Sequence, residues 1–223
     1  MKISKELVTA LRTLSTVNGA LVLHAGRKYV MTKPVTNDAY ADFQLSEPLE
    51  DTLRIYDVRH FLANLAMLGD EANVEVSETG LMTLSNHRLT LNMAGATSGV
   101  IDEPKGRVTH GEPTDIHEFP AEELKSLMRL VRHTKTERIE LLPFNGRRVI
   151  RGWDGHPKHN PNLTFTLDMG EYDGDDNAYQ YWILREWLDK LPTDVDFKLG
   201  FGHNGLMAWF IAENMRFMFA GAK

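Results

Sequence analysis

Glu6–Arg12, with the sequence ELVTALR, aligns without gaps with Glu123–Arg129, ELKSLMR, at an offset of 117 residues. In both segments apolar residues recur at the spacing of one helix face, which predicts two amphipathic helices. A second match follows in the same order. Arg59–Leu65 aligns with Arg185–Leu191 at an offset of 126, through a cation and three apolar residues in each. Two ordered matches at similar offsets indicate an internal repeat of about half the chain.

Local signals set the predicted ends of the two longer helices. Ser4 is a suitable N-cap for the first helix, and the pair Asn18-Gly19 is suited to its end. Pro120 is predicted in the first turn of the third helix, followed by Glu122 and Glu123 near its positive end.

Between the helices, short β-rich runs are separated by Gly, Pro and Asn, which predicts antiparallel sheet. Residues 98–117 combine acids, prolines and glycines without apolar periodicity, which is typical of a connector. We therefore predict an α+β chain of two similar domains, each an antiparallel sheet with two helices on one face. The predicted divisions are 1–98, a connector at 99–117, and 118–223.

Composition limits the classes of function. The chain has 223 residues, of which 42% are hydrophobic and 25% charged, as in ordinary globular proteins. It has no cysteine, which excludes disulfides and thiolate metal sites and favours an intracellular location. No apolar run approaches the ~20 residues of a membrane helix, so no membrane association is predicted. The net charge of −6 argues against a uniformly basic nucleic-acid binder, so the position of the cations is decisive.

The cations concentrate on the polar faces of the predicted helices. Lys125, Arg129 and Arg132 follow at i, i+4 and i+7, opposite the apolar residues, and Lys135 extends the row. On the first helix the equivalent face holds Lys5, Thr9, Arg12 and Thr16. We interpret both faces as free of acids. This favours a role of the cations in phosphate contacts over a role in solubility alone.

Several segments, in the same order and spacing, resemble one family, and the resemblance covers nearly the whole chain. These segments are Met1–Lys5, Ile55–Val58 with Phe61-Leu62, Ala121–Leu124 with Leu127–Arg129, and Gly170–Asp175. The chain resembles the sliding clamps, or DNA polymerase processivity factors, of T-even-type bacteriophages, a branch of the PCNA-like clamps.

This resemblance implies a homotrimeric ring of six similar domains around double-stranded DNA, bound without sequence preference, in the cytoplasm of an infected cell. It implies no catalytic residues, no metal and no cofactor. The implied partners are the replicative DNA polymerase, an ATP-dependent clamp loader and a late-transcription sigma factor or coactivator. The implied contact between protomers pairs edge strands, for which Arg88–Met93 and Leu163–Leu167 are the candidates.

The resemblance also implies two sets of binding residues. Candidates to line the DNA channel are cations on the helices: Lys5, Arg12, Arg59, Lys125, Arg129, Arg132, Lys135, Arg185 and Lys190. Candidates for the wall of a pocket that receives an apolar partner tail lie near the connector: Val35, Tyr40, Val100, Ile101 and Phe219.

Two alternatives belong to other classes of protein. Asp154, His156 and His159 suggest a metal-dependent enzyme, although loop residues separate the histidines and spacing fixes no third ligand. The acidic run 171–176 lacks the glycine and glutamate positions of a calcium-binding EF-hand loop, and we interpret it as a solvated turn. The second alternative is an adaptor domain that does not bind DNA.

Overall fold

In a computed structural model, helix α1 (Lys5–Leu14) begins at the predicted N-cap, where the Ser4 side chain accepts a hydrogen bond from the Leu7 amide at 3.0 Å. The helix ends four residues before the predicted Asn18-Gly19. The reason is that a turn over 15–17 satisfies the last carbonyls: the Ser15 hydroxyl donates to Arg12 O and the Thr16 hydroxyl to Thr13 O.

The structure describes residues 1–69, 72–108, 113–155, 162–202 and 207–221. The chain divides into two units, Met1–Arg107 and Val108–Lys223. This boundary falls inside the predicted connector. None of the helices in these described ranges is long and apolar enough to span a membrane.

Unit 1 contains two helices and short antiparallel strands. They are α1, α2 (Val58–Leu68), β1 (Leu21–Leu23), β2 (Tyr29–Thr32), β3 (Ala39–Gln44), β4 (Leu53–Ile55), β5 (Asn73–Val76), β6 (Leu81–Ser85) and β7 (Thr90–Ala94). Strand β1 pairs with β4, β2 pairs with β3, and β5, β6 and β7 form a meander in that order. Helix α1 packs against α2 and β3, and α2 packs against β6, so the two helices cover the sheets.

Unit 2 contains a longer sheet framework and two helices of unequal length. Its elements are β8 (Pro113–Phe119), α3 (Ala121–His133), β9 (Arg138–Phe144), β10 (Arg147–Asp154), β11 (Asn162–Glu171), β12 (Tyr181–Leu184), α4 (Arg185–Leu188), β13 (Phe197–Gly202), β14 (Met207–Ile211) and β15 (Met215–Ala220). Within the unit, the strand orders are β11-β10-β9-β12 and β8-β13-β14-β15, all antiparallel.

The start of helix α3 differs from the prediction by one position. Pro120 is the N-cap of α3 rather than a first-turn residue, and the Asp196 carboxylate accepts from the Ala121 amide at 2.8 Å. A distant acid thereby supplies the cap that Pro120 cannot provide, because proline has no side-chain acceptor.

Helix α4 has four residues, compared with eleven in α2. The apolar positions of the predicted repeat are nevertheless preserved, since Trp187, Leu188 and Leu191 are buried. Trp187 stacks on Phe219 with 5.6 Å between ring centroids. Pro192 follows Leu191 and disfavours helical backbone there, which is consistent with the early end of α4.

The predicted connector 99–117 is wrong at its C-terminal end, because strand β8 begins at Pro113. Strand β8 pairs with β13, which lies some 80 residues later in the chain. Local apolar periodicity therefore does not predict β8. Proline is tolerated here as the first residue of the strand.

A polar contact holds β8 against the neighbouring sheet of unit 2. The Asp115 carboxylate accepts from Arg148 Nη2 at 2.7 Å and from the Tyr179 hydroxyl at 3.2 Å. Burial, with the charge of Asp115, raises the pKa of Tyr179, so its hydroxyl remains a donor across the physiological range.

We predict that Leu11→Ala lowers the free energy of unfolding by about 2–5 kcal/mol. The Leu11 side chain is fully buried on the inner face of α1, and its truncation leaves a cavity. Urea unfolding followed by circular dichroism measures the loss. The matched control is Thr9→Ala on the exposed face of the same helix, which should change stability by less than about 0.5 kcal/mol. Equal stability of the two variants would contradict this packing of α1.

Candidate nucleic-acid interface

The outward face of α1 carries cations and hydroxyls. Lys5, Thr9 and Arg12 are exposed, on the side opposite the buried residues Leu7 and Leu11. The acid of this helix is directed elsewhere: the Glu6 carboxylate accepts from the Ser46 amide at 3.1 Å and from its hydroxyl at 2.7 Å. Throughout Lys5–Leu14, which the structure describes completely, the outward face therefore has no acid, as predicted.

A groove of about 370 Å³ runs between α1 and α2 within unit 1. Lys5 and Arg12 stand at its rim, and its floor is apolar, with Val8, Leu62 and Ala66 among the lining residues. Arg59 is exposed on α2, near the start of that helix. Cations thus border the groove on α1 and stand exposed on α2.

The row on α3 also faces outward, but the prediction that it is free of acids is wrong. Arg129 and Arg132 are exposed and Lys125 is half-buried. Lys125 Nζ lies 2.8 Å from Glu122 Oε1, three residues away on the same helix. The hydrogen bond from Lys125 and its charge lower the pKa of the Glu122 carboxyl, so this acid is ionised at neutral pH.

A second acid comes from α4 and was not recognised in the sequence. Asp189 Oδ1 lies 2.9 Å from Arg132 Nη2, and Asp189 Oδ2 lies 3.5 Å from Arg185 Nε. Arg132 and Asp189 are 57 positions apart, so no helical spacing could reveal the contact. The ammonium of Lys190 stands over the Trp187 ring, 4.5 Å from its centroid.

Seven of the nine predicted cations therefore fall into two groups. Lys125, Arg132 and Arg185 form ion pairs with acids. Arg12, Arg59, Arg129 and Lys135 form no ion pair within the part of the chain that the structure describes, and all four are exposed. The second group is the better placed to contact an external anion.

The predicted residues of the partner pocket separate into surface and core. Val35 and Val100 are exposed, at 81% and 57%, and Ile101 is half-buried. Tyr40, in β3, and Phe219, in β15, are buried and were wrongly assigned to an accessible wall. Both lie on strands in which consecutive side chains are buried, and Phe219 packs on Trp187.

The connector segment of unit 1 is held against the sheet strands and the turns beside them by polar contacts. Lys33 Nζ lies 2.9 Å from Asp102 Oδ2, which brings the turn containing Val35 close to the segment containing Val100. His24 Nε2 lies 2.6 Å from Glu103 Oε2. Arg107 Nη2 lies 3.2 Å from the fully buried Asp42 carboxylate.

The acidic groups show no metal centre in the described residues. His156 and His159 lie outside the described residues, and Asp154 is exposed at the end of β10. Across the described ranges no three His, Cys, Asp or Glu side chains converge to hold a metal ion. In the acidic run 171–176, Asp176 instead accepts from the amides of Asn145 and Gly146 at 2.8 and 3.1 Å, which caps a turn.

Comparison with solved structures identifies the class of fold. The PCNA of A. fulgidus, solved with the C-terminal region of FEN-1 bound, superimposes with a TM-score of 0.69 at 11% identity and covers 99% of this chain and 97% of its own. A putative DNA polymerase III β subunit from Eubacterium rectale gives 0.70 at 12% identity, with 98% of this chain spanning 63% of that longer chain. The chain therefore has the fold of the DNA clamps.

Within that class, the sequence is similar to phage proteins. No protein-family model matches the chain. The sliding clamp of Enterobacteria phage T4 is 27% identical over 184 residues, covering 82% of this chain and 80% of its own. That of Vibrio phage KVP40 is 24% identical over 227 residues and covers 99% of this chain and 98% of its own. The resemblance to phage sliding clamps and the α+β clamp fold predicted from the sequence are confirmed.

Proposed function

We propose that the chain is a sliding clamp that encircles duplex DNA and acts as a processivity factor for the replicative DNA polymerase. The similarity to the phage T4 sliding clamp over 82% of the chain carries this proposal. The outward cations of α1 and α3 support it, because phosphate contacts from exposed Lys and Arg are independent of base sequence.

The arrangement of charge suits sliding rather than tight binding. The chain has a net charge of −6, yet Arg12, Arg59, Arg129 and Lys135 stand on or beside helix surfaces without ion pairs among the described residues. A local cationic surface attracts the DNA backbone, while the acidic remainder disfavours binding elsewhere. Enclosure then retains the DNA without strong contacts, and no step requires a catalytic group. We therefore propose a non-enzymatic role.

The alternatives have less support. A metal-dependent enzyme would need Asp154, His156 and His159, and the described residues provide no further ligands that converge. An adaptor that does not bind DNA would leave the cations of α1 unexplained. The comparisons favour neither.

We further propose a homotrimer, in which β7 of one protomer pairs with β11 of the next. Each strand lies at one end of its own sheet: β7 is bonded to β6, and β11 to β10. These strands contain most of the two segments predicted to pair, Arg88–Met93 and Leu163–Leu167. A free strand edge leaves backbone donors and acceptors unpaired, and ring closure satisfies them.

The remaining partners are an ATP-dependent clamp loader and, in late transcription, a sigma factor or coactivator, within the cytoplasm of the infected cell. We propose that partner tails dock on unit 1 beside Val35, Val100 and Ile101. These apolar side chains are brought near each other by the Lys33–Asp102 ion pair and are accessible to solvent. The DNA polymerase partner is the first candidate for this surface.

We predict a mass in solution of about three times 25.3 kDa by sedimentation equilibrium. Leu163→Asp should lower the trimer fraction, because it places a charge in the proposed contact on β11. Ile116→Asp is the matched control: it lies on β8 and both side chains are 51% exposed. A wild-type chain that stays monomeric at high concentration, or equal effects of the two variants, would contradict the proposed assembly.

We predict that Arg12→Ala with Arg129→Ala shortens the products of primer extension by the loaded polymerase, because two phosphate contacts per protomer are lost. The assembly and its thermal stability should be unchanged, since exposed residues contribute little to folding. The control removes two other cations, Lys105 and Arg147, which lie away from the helices. Product lengths equal to those of wild type would show that the DNA surface is misassigned.

We predict that Val35→Ser with Val100→Ser weakens binding of a peptide copied from the C-terminus of the cognate polymerase by about tenfold, since burial of two valines contributes on the order of 1.4 kcal/mol. Fluorescence anisotropy of the labelled peptide measures the affinity. Val76→Ser, which alters an exposed valine of β5 in the same unit, should leave it unchanged. Unaltered binding by the double variant would place the pocket elsewhere.

A further inference from the structure

Asp189 occupies a position between two cations that were predicted to contact DNA. One carboxylate oxygen lies 2.9 Å from Arg132 Nη2 on α3, and the other lies 3.5 Å from Arg185 Nε on α4. All three side chains are partly exposed, at 57%, 38% and 36% for Arg132, Arg185 and Asp189. The group is therefore at the surface and open to an external anion.

Buried neighbours fix Asp189 at this place. It is the C-cap of α4, and its amide donates to Arg185 O at 3.2 Å. The two preceding residues, Trp187 and Leu188, are buried, and Trp187 stacks on Phe219. Because the helix is anchored by its apolar side, the backbone of Asp189 has a fixed place, from which the carboxylate contacts both guanidinium groups.

The carboxylate changes the charge that this surface presents. Arg132 and Arg185 carry two positive charges, and Asp189 reduces the total for the three residues to one. A phosphate that approaches either arginine must share its donors with the carboxylate or displace it. Such a contact costs part of an existing charge-assisted hydrogen bond and meets the repulsion of a like charge.

We propose that Asp189 competes with DNA phosphate for the guanidinium groups of Arg132 and Arg185 and thereby weakens the binding of DNA by unit 2. This inference rests on the proposed clamp function and specifies its regulation. Arg129, on the same helix as Arg132, donates to the Lys125 carbonyl at 3.4 Å and forms no ion pair with a carboxylate among the described residues, so one helix presents a cation with an acidic partner and a cation without one. A clamp whose every cation bound phosphate fully would be slow to move, because each step would break several contacts. The carboxylate keeps the phosphate contacts of Arg132 and Arg185 weak in each protomer.

The test compares Asp189→Asn with wild type in binding of a fluorescein-labelled 30-base-pair duplex, followed by anisotropy as NaCl is raised. The substitution keeps the shape of the side chain and removes its charge. We expect binding to become about 1.5- to 5-fold tighter at low salt, which is the effect of one surface charge pair. The slope of log K against log salt should steepen by about 0.9 for each additional phosphate that the protein neutralises.

Glu118→Gln is the matched control. Glu118 pairs with Lys198 at 3.3 Å across β8 and β13 in the same unit, away from the proposed protomer contact, and the substitution changes net charge by the same amount. If Asp189 acts locally, Glu118→Gln should bind the duplex as wild type does. Equal tightening in the two variants would mean that only total charge matters, and would overturn the proposal.

A double-mutant cycle separates competition from positioning. Arg132→Gln should weaken duplex binding more in the Asp189→Asn background than in the wild-type chain, because the arginine is then free of its carboxylate. If Asp189 instead orients Arg132 toward DNA, Asp189→Asn alone would weaken binding, and this result would refute the competitor role. Sedimentation and thermal unfolding of each variant confirm that assembly and fold are retained.

Failure of the clamp function itself would look different. A wild-type chain that does not lengthen the products of primer extension by the loaded polymerase would reject the proposed function and the role of Asp189 with it. Wild-type binding that is lost in Arg12→Ala/Arg129→Ala but unaffected by Asp189→Asn would reject the role of Asp189 alone.

Discussion

Each long helix of this protein must bury one stripe of apolar side chains against its sheet, and this constraint decides where the charges stand. Leu7, Leu11 and Leu14 on α1 are buried, as are Leu124, Leu127 and Val131 on α3. Burial of each such side chain contributes on the order of 1.5–3 kcal/mol, far more than a surface charge contributes. The helix therefore has one available orientation, and its cations face outward as a consequence.

The sequence predicted the features that depend on local periodicity. The helix start at Ser4, the strands of the meander and the outward cations of α1 could be predicted because neighbouring residues determine them. The features it missed depend on contacts between distant segments. Strand β8 is stabilised by its pairing with β13, and the cap of α3 comes from Asp196. Neither feature can be predicted from the residues next to it in the sequence.

The binding residues divide in the same way. The positions of Arg12 and Arg129 followed from helical spacing, whereas the partners of Arg132 and Arg185 did not, since Asp189 reaches them through tertiary packing. Tyr40 and Phe219 were misplaced for a related reason: a large aromatic residue at the end of a chain or beside a loop is compatible with both pocket and core. The burial of both residues and the packing of Phe219 on Trp187 distinguish the two.

The ion pairs along the connector of unit 1 have a thermodynamic consequence for recognition. Asp102, Glu103 and Arg107 hold this segment in place in the absence of any partner. A flexible loop would lose conformational entropy on binding, at about 1–2 kcal/mol for each residue ordered. Here that loss has occurred during folding, so the proposed partner peptide would meet a pre-organised surface and retain more of its interaction free energy as affinity.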